Sequence, residues 1–441
     1  MNGSAAQPAR FAILADDLTG ALDCAAAFIF PGYAPYVAIL GDVSDAPAIS
    51  RVISVNADTR RLLVDAASRV KGQLLANLSS VGIELRYVKI DSTLRGHPGL
   101  EVSQCAELSG APVVLFCPSF PGTGRTVRDG NLLVHGVPLH QTEVGNDPLS
   151  PLTTSKVADI LRRSPGMALT EVHLDDVRSS GLAETLVRLA ETSSESPRIV
   201  ICDAETDSDL DRVVAAGVTV TECALHRTQP LFAGSAGLAA ALARASQDSS
   251  IHNVKTVSGY ARRPFLIVTA SLRSLADRQI ATLESAGQVS RLGVEFAVTR
   301  EGTAHIVHPD MTAVEAHFAA GNNVALRATI VDDLSTLSPA VVRKAADEVT
   351  AQLGQVVRRL AEQNDIGGIV IVGGDTAYGI LTATGARGIL LHAEPLPGVP
   401  VGTISGGSLD GTVIATKAGA FGDDQTLLNL VNFLPAGGDQ P

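Results

Sequence analysis

Two adjacent carboxylates, Asp16 and Asp17, close the apolar run Phe11–Ala15 and open a small-residue stretch containing Thr19 and Gly20. In open α/β sheets ligands gather beyond the carboxyl ends of the strands, so a carboxylate pair at that point meets a ligand. It can orient a substrate hydroxyl and take its proton, or help to hold Mg2+. Asp17 or Thr19 can equally cap the helix that follows. A second cluster is Lys89-Ile-Asp91-Ser92-Thr93-Leu-Arg95-Gly96-His97-Pro98-Gly99, again at a strand end. The planar guanidinium of Arg95 matches a carboxylate with two parallel hydrogen bonds, and the neighbouring hydroxyls can read sugar oxygens. The plain alternative is a hydrogen-bonded loop with a surface arginine.

Phosphate chemistry would need backbone N–H groups gathered by glycine. Such a place is Gly373-Gly374-Asp375-Thr376, which follows the apolar strand Gly368–Val372. Glycines let a phosphate approach the backbone, Thr376 offers a hydroxyl, and Asp375 can act through Mg2+ or a ribose. Two more strand-end loops belong to the same half of the chain: Ala270-Ser271 and Thr416-Lys417-Ala-Gly419-Ala-Phe421-Gly422, with Lys417 a candidate phosphate contact. Gly234-Ser235-Ala-Gly237 is a similar turn in the first half, explained as well by tight packing. The segment 118–130 is rich in Gly and Arg, but Arg125 stands where a P-loop requires Lys, so that reading fails. A basic loop or a plain turn remains. The dinucleotide pattern G-x-G-x-x-G is absent from the 373–376 loop.

Other chemistries find little support. His305 and His308 lack partners at zinc-ligand spacing, and no G-x-S-x-G elbow exists. The five cysteines form no C-x-x-C pair and sit mostly in apolar surroundings, which points to buried thiols in a reducing compartment.

The elements that must carry these residues are short apolar runs alternating with helical-period segments, the pattern of an α/β protein with mainly parallel strands. Strands are expected at Phe11–Ala15, Tyr36–Leu40, Leu85–Ile90, Val113–Cys117 and Ile199–Cys202. The second half should hold Phe265–Thr269, Val324–Ala328, Gly368–Val372 and Val413–Thr416. One helix is expected over Ala345–Asn364, where Val349, Leu353, Val356, Val357 and Leu360 form one stripe. A length of 441 residues exceeds the usual single core. The polar stretch 246–263, closed by Pro264, reads as a linker between residues 1–245 and 264–434.

With 45% apolar and 18% charged residues, the chain reads as a globular protein. A formal charge of −12 argues against nucleic acid or an anionic membrane as partner. No run reaches the ~18 apolar residues of a membrane span, and the small polar N-terminus lacks a signal-peptide core, so a cytoplasmic protein is expected.

In order along the chain, Ala-Asp16-Asp17-Leu-Thr19-Gly20-Ala, Lys89-Ile-Asp91-Ser92-Thr93-Leu-Arg95-Gly96, Pro121-Gly-Thr-Gly-Arg125-Thr-Val-Arg-Asp129-Gly130, Gly373-Gly374-Asp375-Thr376 and Thr416-Lys417-Ala-Gly419-Ala-Phe421-Gly422 resemble the signatures of the four-carbon acid sugar kinase family. The resemblance implies a sugar-acid-binding N-terminal domain and an ATP-binding C-terminal domain, each a mainly parallel sheet flanked by helices, with the active site in the cleft between them. Asp16 and Asp17 would be catalytic, and Asp91, Ser92 and Arg95 would bind the acid. Ser271, Gly373, Gly374, Asp375, Thr376 and Gly419 would line the ATP site, with Mg2+ as companion ion. Ala270 and Asp375 stand where the family often has Gly and Glu. The implied reaction phosphorylates a hydroxyl, at C4, of threonate, erythronate or a 3-oxo-tetronate. A nicotinamide-dependent sugar-acid dehydrogenase and a non-catalytic sugar-acid sensor are the rival readings. The metal ligands, the choice of base between Asp16 and Asp17, and the oligomeric state, a homo-oligomer included, stay open.

Overall fold

Apolar runs buried at every position, such as Phe11–Ala15 and Val113–Cys117, form strands covered on both faces. The structure, a computed structural model, describes residues 10–146, 151–163, 168–192, 197–223, 229–247, 264–271, 274–309 and 311–434. The expected linker 246–263 lies outside them from residue 248 onward. The chain divides into two units that are not contiguous in sequence: Met1–Pro35 with Gly41–Val254, and Tyr36–Leu40 with Lys255–Pro441.

The strands in chain order begin with β1 (Phe11–Ala15), β2 (Tyr36–Ala38), β3 (Val52–Asn56), β4 (Glu84–Lys89) and β5 (Val113–Cys117). A small antiparallel sheet of β6 (Arg125–Arg128), β7 (Asn131–Val134) and β8 (Val137–Pro138) follows, so the segment left open between a basic loop and a plain turn runs into a hairpin. The unit closes with β9 (Ala168–Val172), β10 (Arg198–Cys202) and β11 (Leu231–Gly234). Its main sheet is parallel throughout, in the order β3-β1-β4-β11-β5-β10-β9. Helices α1 (Leu18–Ala26), α2 (Val64–Ser80) and α3 (Pro98–Ser109) carry the chain between its first strands. Phe28 meets Phe11 edge-to-face and stacks on Tyr33 within the core on one face, and burying a side chain such as Phe28 contributes roughly 1.5–3 kcal/mol. From β1 the chain passes to β3 on one side, then crosses to β4 on the other. The connections after β1 and β4 therefore diverge and leave a crevice at their carboxyl ends, a topological switch point.

The second unit repeats that logic. Its strands are β12 (Phe265–Thr269), β13 (Ser290–Val298), β14 (Ala304–Pro309), β15 (Val324–Ile330), β16 (Gly368–Val372), β17 (Gly388–Leu396), β18 (Val399–Ser405) and β19 (Val413–Lys417). Strands β13, β15, β12, β16 and β19 are parallel neighbours in that order, while β14, β18 and β17 pair antiparallel. The chain fills one side of β12 with β13 to β15, then the helix Pro339–Gln363 returns it to β16 on the other side. The switch point lies between β12 and β16. β2 pairs antiparallel with β17, and the buried Tyr36 ring takes the space above Gly388, where a Cβ would stand 2.0 Å from it. Among the described residues no helix is long and apolar enough to cross a membrane.

Candidate functional site

At the end of β1 the backbone delivers Asp16, whose side chain is 2% exposed, and Asp17, at 26%. Asp17 caps α1: its Oδ1 accepts from Gly20 N at 2.8 Å. Both carboxylates are held by Arg60, which follows β3. Its Nε and Nη2 fork onto the two Asp16 oxygens at 2.7 and 2.8 Å, and Nη1 reaches Asp17 Oδ2 at 2.5 Å. Burial works against the Arg60 charge, yet Asp16, Asp17 and Asp91 together hold its pKa well above the ordinary value.

Beyond β4, Arg95 forks onto Asp91 through Nε at 2.8 Å and Nη2 at 2.9 Å. Thr93 donates its hydroxyl to the same carboxylate, and Arg60 Nη2 stands 4.0 Å from it. Burial pushes the Asp91 carboxyl up, but Arg60, Arg95 and these hydrogen bonds outweigh it and hold it well below the carboxylate range. Ser92 is half-buried in the same turn. Lys89, buried at the end of β4, completes the charge set. Burial penalises its ammonium, and Asp16, Cys24 and Asp17 more than compensate, raising its pKa. A Cβ on Gly20 would stand 2.7 Å from both Asp17 Oδ1 and Lys89 Nζ, so only glycine lets α1 start this close to them. Asp16 and Asp17 after β1 and Asp91 and Arg95 after β4 thus come together at two adjacent strand ends, in balance with Lys89 and with Arg60 from the end of β3. At 38% exposure Arg95 presents more of its side chain than Arg60 at 17%.

Arg60 is the residue that sequence reasoning missed. Its signal was present in Val52-Ile-Ser-Val-Asn56-Ala-Asp58-Thr59-Arg60, an apolar run breaking into polar residues as at the other two strand ends.

In the second unit, β12 and β16 bring Ser271, Gly373 and Thr376 together. Thr269 Oγ1 donates to Val372 O at 3.0 Å and accepts from Ser271 N at 3.1 Å. Ala270 N donates to Thr376 Oγ1 at 3.3 Å. Gly373, at φ +113°, precedes the helix Gly374–Ala383; a Cβ on it would stand 3.1 Å from Thr376 Oγ1 and 4.0 Å from Ser271 Cβ. This is a backbone cradle kept bare of side chains at a helix N-terminus, which suits a phosphate. Asp375, exposed in the first turn, would repel a phosphate there unless a divalent cation stood between them, so the donor set fits Mg2+ with a nucleotide. Gly419 lies in the turn after β19. Lys417 is turned inward instead of toward a ligand: its Nζ donates to Ala418 O and Phe421 O, each at 2.8 Å, and burial pushes its pKa down to about 8. It shapes the glycine loop.

Among the described side chains no thiol nucleophile emerges: Cys24, Cys105, Cys117 and Cys202 are free and buried, and burial pushes Cys105 and Cys117 up to about 11. One His/Asp grouping exists among the described residues, Asp129, His173 and Asp203. Both Asp203 oxygens accept from backbone N–H groups, of Asp129 at 2.7 Å and Gly130 at 2.9 Å, so that carboxylate holds the turn of the β6–β7 hairpin.

Two family models match the chain in succession, a sugar-binding N-terminal domain over residues 11–242 and a nucleotide-binding C-terminal domain over residues 266–427. A D-threonate kinase of Bordetella bronchiseptica is 32% identical over 94% of this chain and 95% of its own. A D-threonate kinase of Salmonella typhimurium is 29% identical over 96% of this chain and 98% of its own. A crystal structure from Salmonella typhimurium, 20% identical, shares the fold with a TM-score of 0.72, covering 96% of this chain and 98% of that one. These relatives leave the dehydrogenase and sensor readings without support. By both domain models and by its full-length relatives, the chain belongs to the four-carbon acid sugar kinase family.

Proposed function

We propose that the protein transfers the γ-phosphoryl group of ATP to a hydroxyl, at C4, of a four-carbon sugar acid, with D-threonate as the first candidate. The observation that carries this reading is the meeting of Asp16, Asp17, Asp91 and Arg95 at the β1–β4 switch point. The two D-threonate kinase relatives support the choice of acid. Arg95, with Ser92 beside it, meets the carboxylate of the acid. Its Nη1 lies outside the fork on Asp91, so it can donate to a ligand without releasing Asp91. Asp16, gripped through both oxygens and almost fully buried, anchors Arg60. Asp17 is more exposed and gives one oxygen to the helix cap and the other to Arg60. It is the better placed to orient the acceptor hydroxyl and take its proton.

ATP is held at the β12–β16 end by Ser271, Gly373, Gly374, Thr376 and Gly419, with Asp375 directed to Mg2+. Mg2+ neutralises phosphate charge when bound. In the transfer an O–P bond forms at the acid's hydroxyl, the bond from the γ-phosphorus to the bridging oxygen breaks, and ADP leaves. Such a reaction asks for positioning and charge, and no covalent nucleophile. The buried free thiols suit a reducing, cytoplasmic setting.

The test is an ADP-release assay with ATP, Mg2+ and a panel of D- and L-threonate, D-erythronate and 3-oxo-tetronates, with the nicotinamide absorbance followed in parallel. ADP formed only when an acid is present, with a product phosphorylated at C4 by NMR, is the expected result. Acid-independent ATP hydrolysis, or reduction of NAD, overturns the reading.

A further inference from the structure

Beneath Arg60 lies a buried polar set that the proposed reaction does not touch. Lys71 on α2 and Glu101 in the first turn of α3 are each 1% exposed, and Thr59 is fully buried. Lys71 Nζ stands 2.9 Å from Glu101 Oε2, and Glu101 Oε1 accepts from Thr59 Oγ1 at 3.0 Å. Stability alone does not call for such a pair, because apolar residues of similar volume join two helices at equal or lower cost.

The connections of this set run toward the acid-binding end. The backbone N–H groups of Thr59 and Arg60 both donate to Asp16 O, at 3.0 and 3.1 Å, so the direction in which Thr59 is pulled sets where the Arg60 side chain starts. Glu101 also sits in the first turn of α3, directly after the loop that carries Arg95. Its own N–H donates to His97 O at 3.0 Å, and His97 Nε2 lies 2.8 Å from Leu62 O. Gly96, at φ +83°, packs so closely on Arg60 that a Cβ would stand 3.3 Å from Arg60 Cγ and from Arg60 O. Glu101, through its bond from Thr59, is therefore one of the ties between the Arg60 loop and the segment that follows Arg95.

We propose that Thr59, Glu101 and Lys71 are positioning residues: they fix the Arg60 loop against the Arg95 loop, and so set the orientation of Asp16 and Asp17 toward the sugar acid. The inference rests on the acid-binding role proposed above. Thr59→Val keeps the shape and removes the hydrogen bond to Glu101. In the full chain it weakens D-threonate affinity by about 10-fold, the equivalent of one hydrogen bond to a charged group, while the KM for ATP stays within twofold. Thr59→Ser restores the acid affinity.

The double variant Lys71→Met with Glu101→Leu separates this role from plain packing. Its melting temperature stays near that of the parent, yet acid affinity remains low. Calorimetric titration with D-threonate supplies the affinity, so the result does not depend on turnover. Unchanged acid affinity in Thr59→Val, no rescue by Thr59→Ser, or acid affinity restored in the double variant overturns the proposal. If the parent binds the acid but forms no ADP from it, the kinase reading falls and this one stands.

Discussion

The two units solve the same topological problem with opposite materials. Each has a parallel sheet whose chain order reverses about one strand, β1 in the first and β12 in the second, and each leaves a crevice at the strand ends. The first unit fills its crevice with charge: Asp16, Asp17, Asp91, Arg60, Arg95 and Lys89, several of them almost fully buried. The second strips its crevice to backbone, with Gly373, Ser271 and Thr376 close together and the cationic Lys417 facing inward. Topology decides where a ligand binds; whether side chains or bare backbone fill that place decides what binds. A built charge array suits a small polar acid that must be turned to present one hydroxyl. A bare helix start suits a phosphate chain.

If the first crevice works through its built array, removing the centre of that array has the largest consequence. Arg60→Ala leaves the buried Asp16 carboxylate without its fork. Breaking one side of a buried pair costs about 3–5 kcal/mol of stability. Losing the positions of Asp16 and Asp17 lowers kcat/KM for the acid by roughly 10²-fold or more. Arg60→Lys keeps a charge but cannot fork, and recovers stability before activity. Thermal melts and steady-state kinetics on both variants measure this. An active Arg60→Ala enzyme would show that the array is packing and not a binding surface.

The same contrast governs what could be read in the sequence. Strand ends announce themselves locally, as Phe11–Ala15 running into Asp16 or Gly368–Val372 running into Gly373, because a fully buried strand is a continuous apolar run. The parallel α/β class, most strands and the glycine turn after β16 followed from such local signals. The Arg60 contact with Asp16 spans 44 positions and depends on β3 lying beside β1, which no periodicity reports. The transfer of Tyr36–Leu40 into the second unit is equally silent, since β2 looks like any other short apolar run. Lys417 is silent for a related reason: a lysine beside glycines suggests a phosphate contact, and only the fold shows its buried ammonium donating to two carbonyls of its own loop.

Paired variants cut the comparison more finely. Arg95→Ala removes the most exposed cation of the first crevice and raises the KM for the acid by about 10- to 100-fold, the range for a lost charged hydrogen bond, with the KM for ATP within twofold. Gly373→Ala acts on the other crevice. A side chain at φ +113° is strained by about 1–3 kcal/mol, and its Cβ would press on Thr376 Oγ1. The KM for ATP rises about 3- to 10-fold while that for the acid holds, because a strained helix start presents its N–H groups poorly. The decisive outcome is the crossing of the two effects. If each variant disturbs both substrates equally, the division of labour between the units is wrong.

The smallest expected effect concerns the loop that keeps the second crevice bare. Burial pushes Lys417 down to about 8 from an ordinary value of 10.5. Between those two values the unfolded chain holds a proton that the folded chain has released, so stability must rise with pH across that window. Below about 8 both states are protonated, and the penalty for burying the ammonium is fully present. The slope from this one group is at most about 1.4 kcal/mol per pH unit, and the buried thiols of Cys105 and Cys117, raised to about 11, pull the other way above pH 9. Comparing the native chain with Lys417→Met cancels their contribution. Denaturant midpoints from pH 7.5 to 9.5 should therefore climb in the native chain relative to the variant. Parallel curves would mean that the ammonium reaches water, and Lys417 would then return as a candidate phosphate contact.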